Sequence, residues 1–134
     1  MLFRSFSMER TLALGDLLAN IECRCDGRIL FSLLSEEMRQ RRGVNMEDLD
    51  GFVDTLGQVR DTEIVFLIVE LGPGRYKVSL RSRGEMSVHV IAARFGGGGH
   101  AKAAGCRLEG TEEEVISNLL DVCQEMLVSK GADS

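Results

Sequence analysis

The residues of this chain best suited to chemistry are four glycines in a row followed by a histidine, Gly96-Gly97-Gly98-Gly99-His100. Glycine loses more backbone entropy on ordering than any other residue, so an ordered run persists where the chain must take positive φ or approach something closely. Bare N–H groups in such a turn make a concave nest for an anion, and the start of a helix adds partial positive charge. The run predicts that arrangement, with His100 at the start of one helical turn, residues 101–104, stopped by Gly105. The imidazole of His100 can donate to a phosphate oxygen or a sugar hydroxyl. Lys102 lies just beyond. Arg81 and Arg83 sit upstream on a predicted strand, and the guanidinium fork matches phosphate with two hydrogen bonds at once. A glycine run by itself more often marks a flexible linker. Here it lies between an amphipathic helix and a strand, with small residues Ala101, Ala103 and Ala104 behind it.

Charge placement points the same way. Residues 75–107 carry seven cations against Glu85 alone, a net of +6 in a protein whose net charge is −5. An acidic chain with one concentrated basic segment predicts a local anion site and argues against a general nucleic-acid coat. No run of 18 apolar residues suggests a membrane span, and Arg4, Glu9 and Arg10 break up the N-terminus, so neither a membrane anchor nor a secretory signal is expected. The expected location is cytoplasmic. The cysteines, Cys23, Cys25, Cys106 and Cys123, contain no C-x-x-C pair and read as buried free thiols. Glu47, Asp48, Asp50 and Asp54 read as a solvated helix face rather than a metal or acid–base pair, and His89 carries no motif.

The elements that must position these residues follow from periodicity. Residues 8–20 read as a helix with Leu12, Leu14, Leu17, Leu18 and Ile21 in an apolar stripe. Asp26-Gly27 turns a hairpin between residues 21–25 and 29–34. Ser35 caps a short helix ended by Gly43, and Asn45 caps another over 46–58. Residues 62–71 are apolar on both faces, the mark of a buried central strand. After the turn Gly72-Pro73-Gly74, residues 75–82 alternate, with Tyr76, Val78 and Leu80 opposite Lys77, Ser79 and Arg81. Ser87 caps a helix bearing Val88, Ile91, Ala92 and Phe95, residues 106–109 form a strand, and Thr111 with Glu114 opens a last helix over 112–130. The sum is one α/β domain of 134 residues: a mixed parallel and antiparallel sheet of about five strands flanked by helices.

Residues 97–105, GGGHAKAAG, resemble the GGGH-x-x-AAG signature of the domain associated with the DHH phosphoesterases. Val78-Ser79-Leu80-Arg81-Ser82, Val90-Ile91-Ala92 and Phe95 are similar to that family as well. The resemblance spans about residues 20–128 and is strongest to bacterial nanoRNases that also act as 3′-phosphoadenosine 5′-phosphate phosphatases. RecJ-like exonucleases and cyclic-dinucleotide phosphodiesterases are more distant. It implies that residues 21–130 form a substrate-binding domain, that residues 1–20 are a leading helix or linker from an N-terminal DHH domain, and that residues 131–134 are a tail. It implies two manganese ions in that N-terminal domain and no cofactor in this chain. With no Asp-His-His triplet, and His89 and His100 its only histidines, the chain has no catalytic or metal-binding residue of its own and should not hydrolyse anything alone. By position, Gly97, Gly98, Gly99, His100, Arg81 and Ser82 match the family's substrate contacts; Arg83 and Lys102 join them on charge and proximity. The implied partners are short RNA or nucleotide phosphates, the N-terminal domain, and a second copy in a homodimer.

Two other readings compete. Alanyl-tRNA synthetases carry the same domain type, so a stand-alone RNA-binding module without catalysis is the alternative. A nucleotide-cofactor enzyme fails on order, because the glycine run follows a helix rather than a strand.

Overall fold

In the computed structural model, which describes residues 6–132, a six-stranded sheet divides two apolar cores. The strands are β1 (Glu22–Arg24), β2 (Ile29–Leu34), β3 (Ile64–Gly72), β4 (Arg75–Ser82), β5 (Gly98–Gly99) and β6 (Ala103–Glu109), in the order β1-β2-β3-β4-β6-β5. Only β2 and β3 run parallel, so the sheet is mixed, as expected. The β1–β2 hairpin turns at Cys25, Asp26 and Gly27, all at positive φ.

β3 is the centre because its residues are apolar on both sides. Ile64, Phe66 and Ile68 join one core and Val65, Leu67 and Val69 the other. The first core lies under α4 (Val88–Arg94) and α5 (Glu112–Ala132), where Phe31 and Phe66 stack across β2 and β3 at 4.9 Å. The second lies under α1 (Met8–Ala19) and α3 (Leu49–Leu56). The one buried serine of β2, Ser32, is satisfied by donating to the Leu17 carbonyl of α1 at 2.8 Å.

Local signals operate as their chemistry dictates. The Ser35 hydroxyl accepts from the Met38 N–H at the start of α2 (Glu36–Arg42), and Gly43 closes that helix at φ +64°. Thr111 accepts from the Glu114 N–H and donates to its carboxylate, opening α5. α5 continues through Ala132, into the stretch expected as a tail, whose last two residues lie outside the described ones. So do residues 1–5 of the expected leading segment.

Other expectations are corrected. Residues 46–58 divide into a 3-10 turn, Met46–Asp48, and α3. The α1 stripe buries Ala13 and Leu17 and leaves Leu12 and Leu18 exposed. Cys23 and Cys25 are exposed free thiols, and only Cys106 and Cys123 are buried. Residues 101–104 are no helical turn: the chain makes a tight hairpin there and enters β6 at Ala103. The sixth strand, β5, comes from inside the glycine run itself.

Candidate phosphate-binding site

The glycine run is shaped by packing as much as by any ligand. Gly96, at φ +79°, ends α4: its N–H donates to Ala93 and that of Gly97 to Ala92, the paired bonds of a Schellman cap. A Cβ on Gly97 would fall 2.2 Å from the Gly105 carbonyl, and one on Gly99 2.6 Å from Cα of Ala104. No side chain fits at either place, because the backbone lies flat against β6. Gly98 and Gly99 then pair with Gly105 and Ala104. The His100 N–H donates to the Ala103 carbonyl at 2.8 Å. The expected helix start at His100 is absent, and part of the expected amide nest is closed. The N–H groups of Gly96, Gly97 and His100 are all spent on carbonyls, and no helix begins at His100.

The candidate side chains are brought together by the hairpin. Ala101 and Lys102 form its tip, and two backbone bonds tie the tip down. Ser82 N–H donates to Lys102 at 3.1 Å, from the end of β4, and Val88 N–H donates to Ala101 at 2.9 Å, from the start of α4. The second bond supplies the cap that Ser87 was expected to give; the Ser87 hydroxyl instead meets Nδ1 of His89 at 2.5 Å. Arg81 stands opposite Ala103 in the β4–β6 ladder. His100, Lys102 and Arg81 thus share one corner of the sheet, with His100 and Lys102 exposed.

Arg81 is already engaged. Its Nε lies 3.0 Å from Oδ1 of Asp54 and its Nη2 3.5 Å from Oδ1 of Asp50, both on α3. The acidic helix face is solvated, as expected, but two of its carboxylates also hold this guanidinium where an anion would compete for it. No local pattern announces the pairing, since 27 residues separate Arg81 from Asp54. Ser82 is nearby, though its hydroxyl donates to the Met86 carbonyl. Arg83 lies apart from the glycines: its Nη1 donates to the Val59 carbonyl beyond α3 at 2.8 Å. Cys106 lies beneath Gly97, and burial pushes its thiol up to about 11, so it stays protonated and unreactive near neutral pH. Among the described residues, no group of three or more His, Cys, Asp or Glu side chains is placed to hold a metal ion.

Residues 26–129 match the family described as the DHHA1 domain. The chain belongs to that family. A bifunctional oligoribonuclease and PAP phosphatase NrnA of Thermus thermophilus is 30% identical over 119 residues, 88% of this chain and 35% of that protein. Among solved structures, an exopolyphosphatase-related protein from Bacteroides fragilis superposes with a TM-score of 0.81 at 25% identity, over 90% of this chain and 36% of that one. The C-Ala domain of Aquifex aeolicus alanyl-tRNA synthetase shares the fold, with a TM-score of 0.59 at 17% identity over 81% of this chain and 97% of its own. The DHHA1 chain thus spans about a third of the length of the NrnA and exopolyphosphatase-related proteins it matches. Its sequence is thus that of a DHHA1 domain similar to part of NrnA.

Proposed function

We propose that this DHHA1 domain holds the phosphate-bearing end of a short oligoribonucleotide or a 3′,5′-bisphosphate nucleotide for a phosphoesterase whose chemistry lies in a preceding DHH domain. The observation that carries the reading is the tied hairpin. Two backbone bonds fix its tip between β4 and α4, which sets His100 and Lys102 beside Arg81. An imidazole, an ammonium and a guanidinium at one exposed corner make a site for negatively charged oxygen. Gly97, Gly98 and Gly99 serve it by letting the chain lie close enough to β6 for His100 to emerge there. Arg83 donates to the Val59 carbonyl and contributes to the field at longer range.

Among the described residues no three His, Cys, Asp or Glu side chains gather to hold a metal, so on this reading the manganese ions belong to the DHH domain. On this reading the chain binds, orients and releases, and hydrolysis requires the second domain. Residues 1–20 would lead in from that domain. The cytoplasm is where such substrates arise. The acidic balance outside residues 75–107 favours end-binding over the broad RNA footprint of a stand-alone module.

The test is a titration of the chain with adenosine 3′,5′-bisphosphate and with a 5′-phosphorylated diadenylate, followed by amide chemical shifts. Wild type should shift signals of residues 98–103. His100→Ala should weaken binding about tenfold or more, consistent with loss of a charge-assisted hydrogen bond worth about 1.5–3 kcal/mol. Shifts confined to other surfaces, or none with either probe, would overturn the proposal.

A further inference from the structure

The basic segment contains a second feature that the hairpin site does not use. Lys77 of β4 and Arg107 of β6 are directly opposite each other in the antiparallel ladder. Side chains so placed are close neighbours on one face, and two like charges there cost stability. Nature usually relieves such a pair with an acid. Among the described residues no carboxylate lies within ion-pair distance of Lys77 or Arg107, although Arg81 on the same strand has two. Glu109, two residues along β6, stands opposite Arg75 instead.

The surroundings complete a site. Lys77, Ser79 and Arg81 point to the face that α1 and α3 cover over β2 and β3, but those helices stop short of β6. At the outer border of β6, beside the end of α4, lies an open hollow of about 350 Å³. Lys77, Gly105 and Arg107 line it from the sheet, and Phe95, Gly96, Gly97 and Cys106 from the α4 side. Two unpaired cations and one aromatic edge around a hollow are what a phosphate with its neighbouring base requires.

We propose that Lys77 and Arg107 form a second phosphate subsite, which receives an oligoribonucleotide chain several linkages from the end held at His100. The inference rests on the end-binding reading above. Lys77 lies four residues from Arg81 along β4, about 13 Å at the rise of a strand. Phosphates on a single ribose are much closer than that, so a bisphosphate nucleotide cannot occupy both places. An oligoribonucleotide of a few residues can. The pair therefore makes affinity depend on length and sets the substrate class as short chains rather than mononucleotides.

The experiment measures binding of fluorescent 5′-phosphorylated di-, tetra- and hexaadenylate, and of adenosine 3′,5′-bisphosphate, to wild type, Lys77→Glu and Arg107→Gln. Wild type should bind hexaadenylate more tightly than diadenylate. Both variants should lose about five- to tenfold on hexaadenylate and less than about twofold on diadenylate and the bisphosphate. Their salt slope on the long probe should be shallower by about one. Lys77→Glu should also melt at or above the wild-type temperature, because it turns the like-charge pair into an ion pair; that separates lost binding from lost fold. Equal affinity for all lengths, or variants that bind hexaadenylate like wild type, overturns the subsite while leaving the end-binding reading in place. A wild type that binds none of the four probes removes both. Weakening on every probe alike also overturns the subsite, by making the pair part of the end site.

Discussion

At the scale of single residues, Arg81 is the cation of the proposed site that carboxylates already hold. In the free domain its guanidinium rests on Asp54 and Asp50, whose side chains are 61% and 81% exposed. Ion pairs that wet contribute about 0.2–1 kcal/mol, so a phosphate can displace them at small cost. Asp54→Asn should accordingly raise affinity for a 5′-phosphorylated dinucleotide by up to about fivefold, read by the same titration. An unchanged or weaker affinity would mean that Arg81 does not turn to the ligand. The basic count of residues 75–107 was legible without coordinates; which cations are neutralised was not. Arg81 is held by carboxylates far back in the chain, Arg83 by a carbonyl, and Lys77 and Arg107 by nothing acidic among the described residues. Partner choice of this kind depends on strand register, which no local pattern records.

At the scale of elements, strands and helices announced themselves where side-chain period is strong. The two-faced apolar run of β3, the Ser35 and Thr111 caps and the Asp26-Gly27 turn all needed only their own residues. The glycine run did not, because glycine has no side chain and so no period; only the close approach to β6 makes it a strand and a hairpin rather than a helix start. α5 offers a check on how elements are bound to the sheet. Cys123 is fully buried there, and burial pushes its thiol from the ordinary 9.0 up to about 12. Below 9.0 the thiol is protonated in folded and unfolded chains alike. Above it the unfolded chain ionises first, so stability declines as pH rises from 9.0 toward about 12. Urea midpoints at about pH 8 and about pH 10 should fall for wild type and fall less for Cys123→Ala, whatever offset the smaller side chain adds. Equal slopes would show that the thiol does not govern the alkaline limb.

At the scale of the molecule, the sheet keeps its two cores on opposite sides, and each depends on a different part of the chain. α1 belongs to one of them: Ala13 and Leu17 are fully buried, and Leu17 accepts the bond from Ser32. A chain beginning at Ile21 should therefore lose at least about 2–3 kcal/mol, the worth of one large buried side chain, and leave a buried hydroxyl without its acceptor. Urea denaturation measures this; unchanged stability would reduce α1 to a tether. The fold class and the mixed sheet were within reach of the sequence, since both follow from side-chain period and turn signals. The division of the basic segment into a tied corner and an open hollow was not, because the hollow arises at the outer border of β6, beside the end of α4.

β5 is only two residues long. Past Gly105, the outer border of β6 therefore has no neighbouring strand, and a bare border of backbone donors and acceptors is a template on which foreign strands can stack into aggregates. Arg107 and Glu109, both exposed, stand along that border and make such stacking costly. The cation offered to a phosphate is thus also a guard on solubility, and a chain that traded Arg107 for an apolar residue would lose both protections in one step.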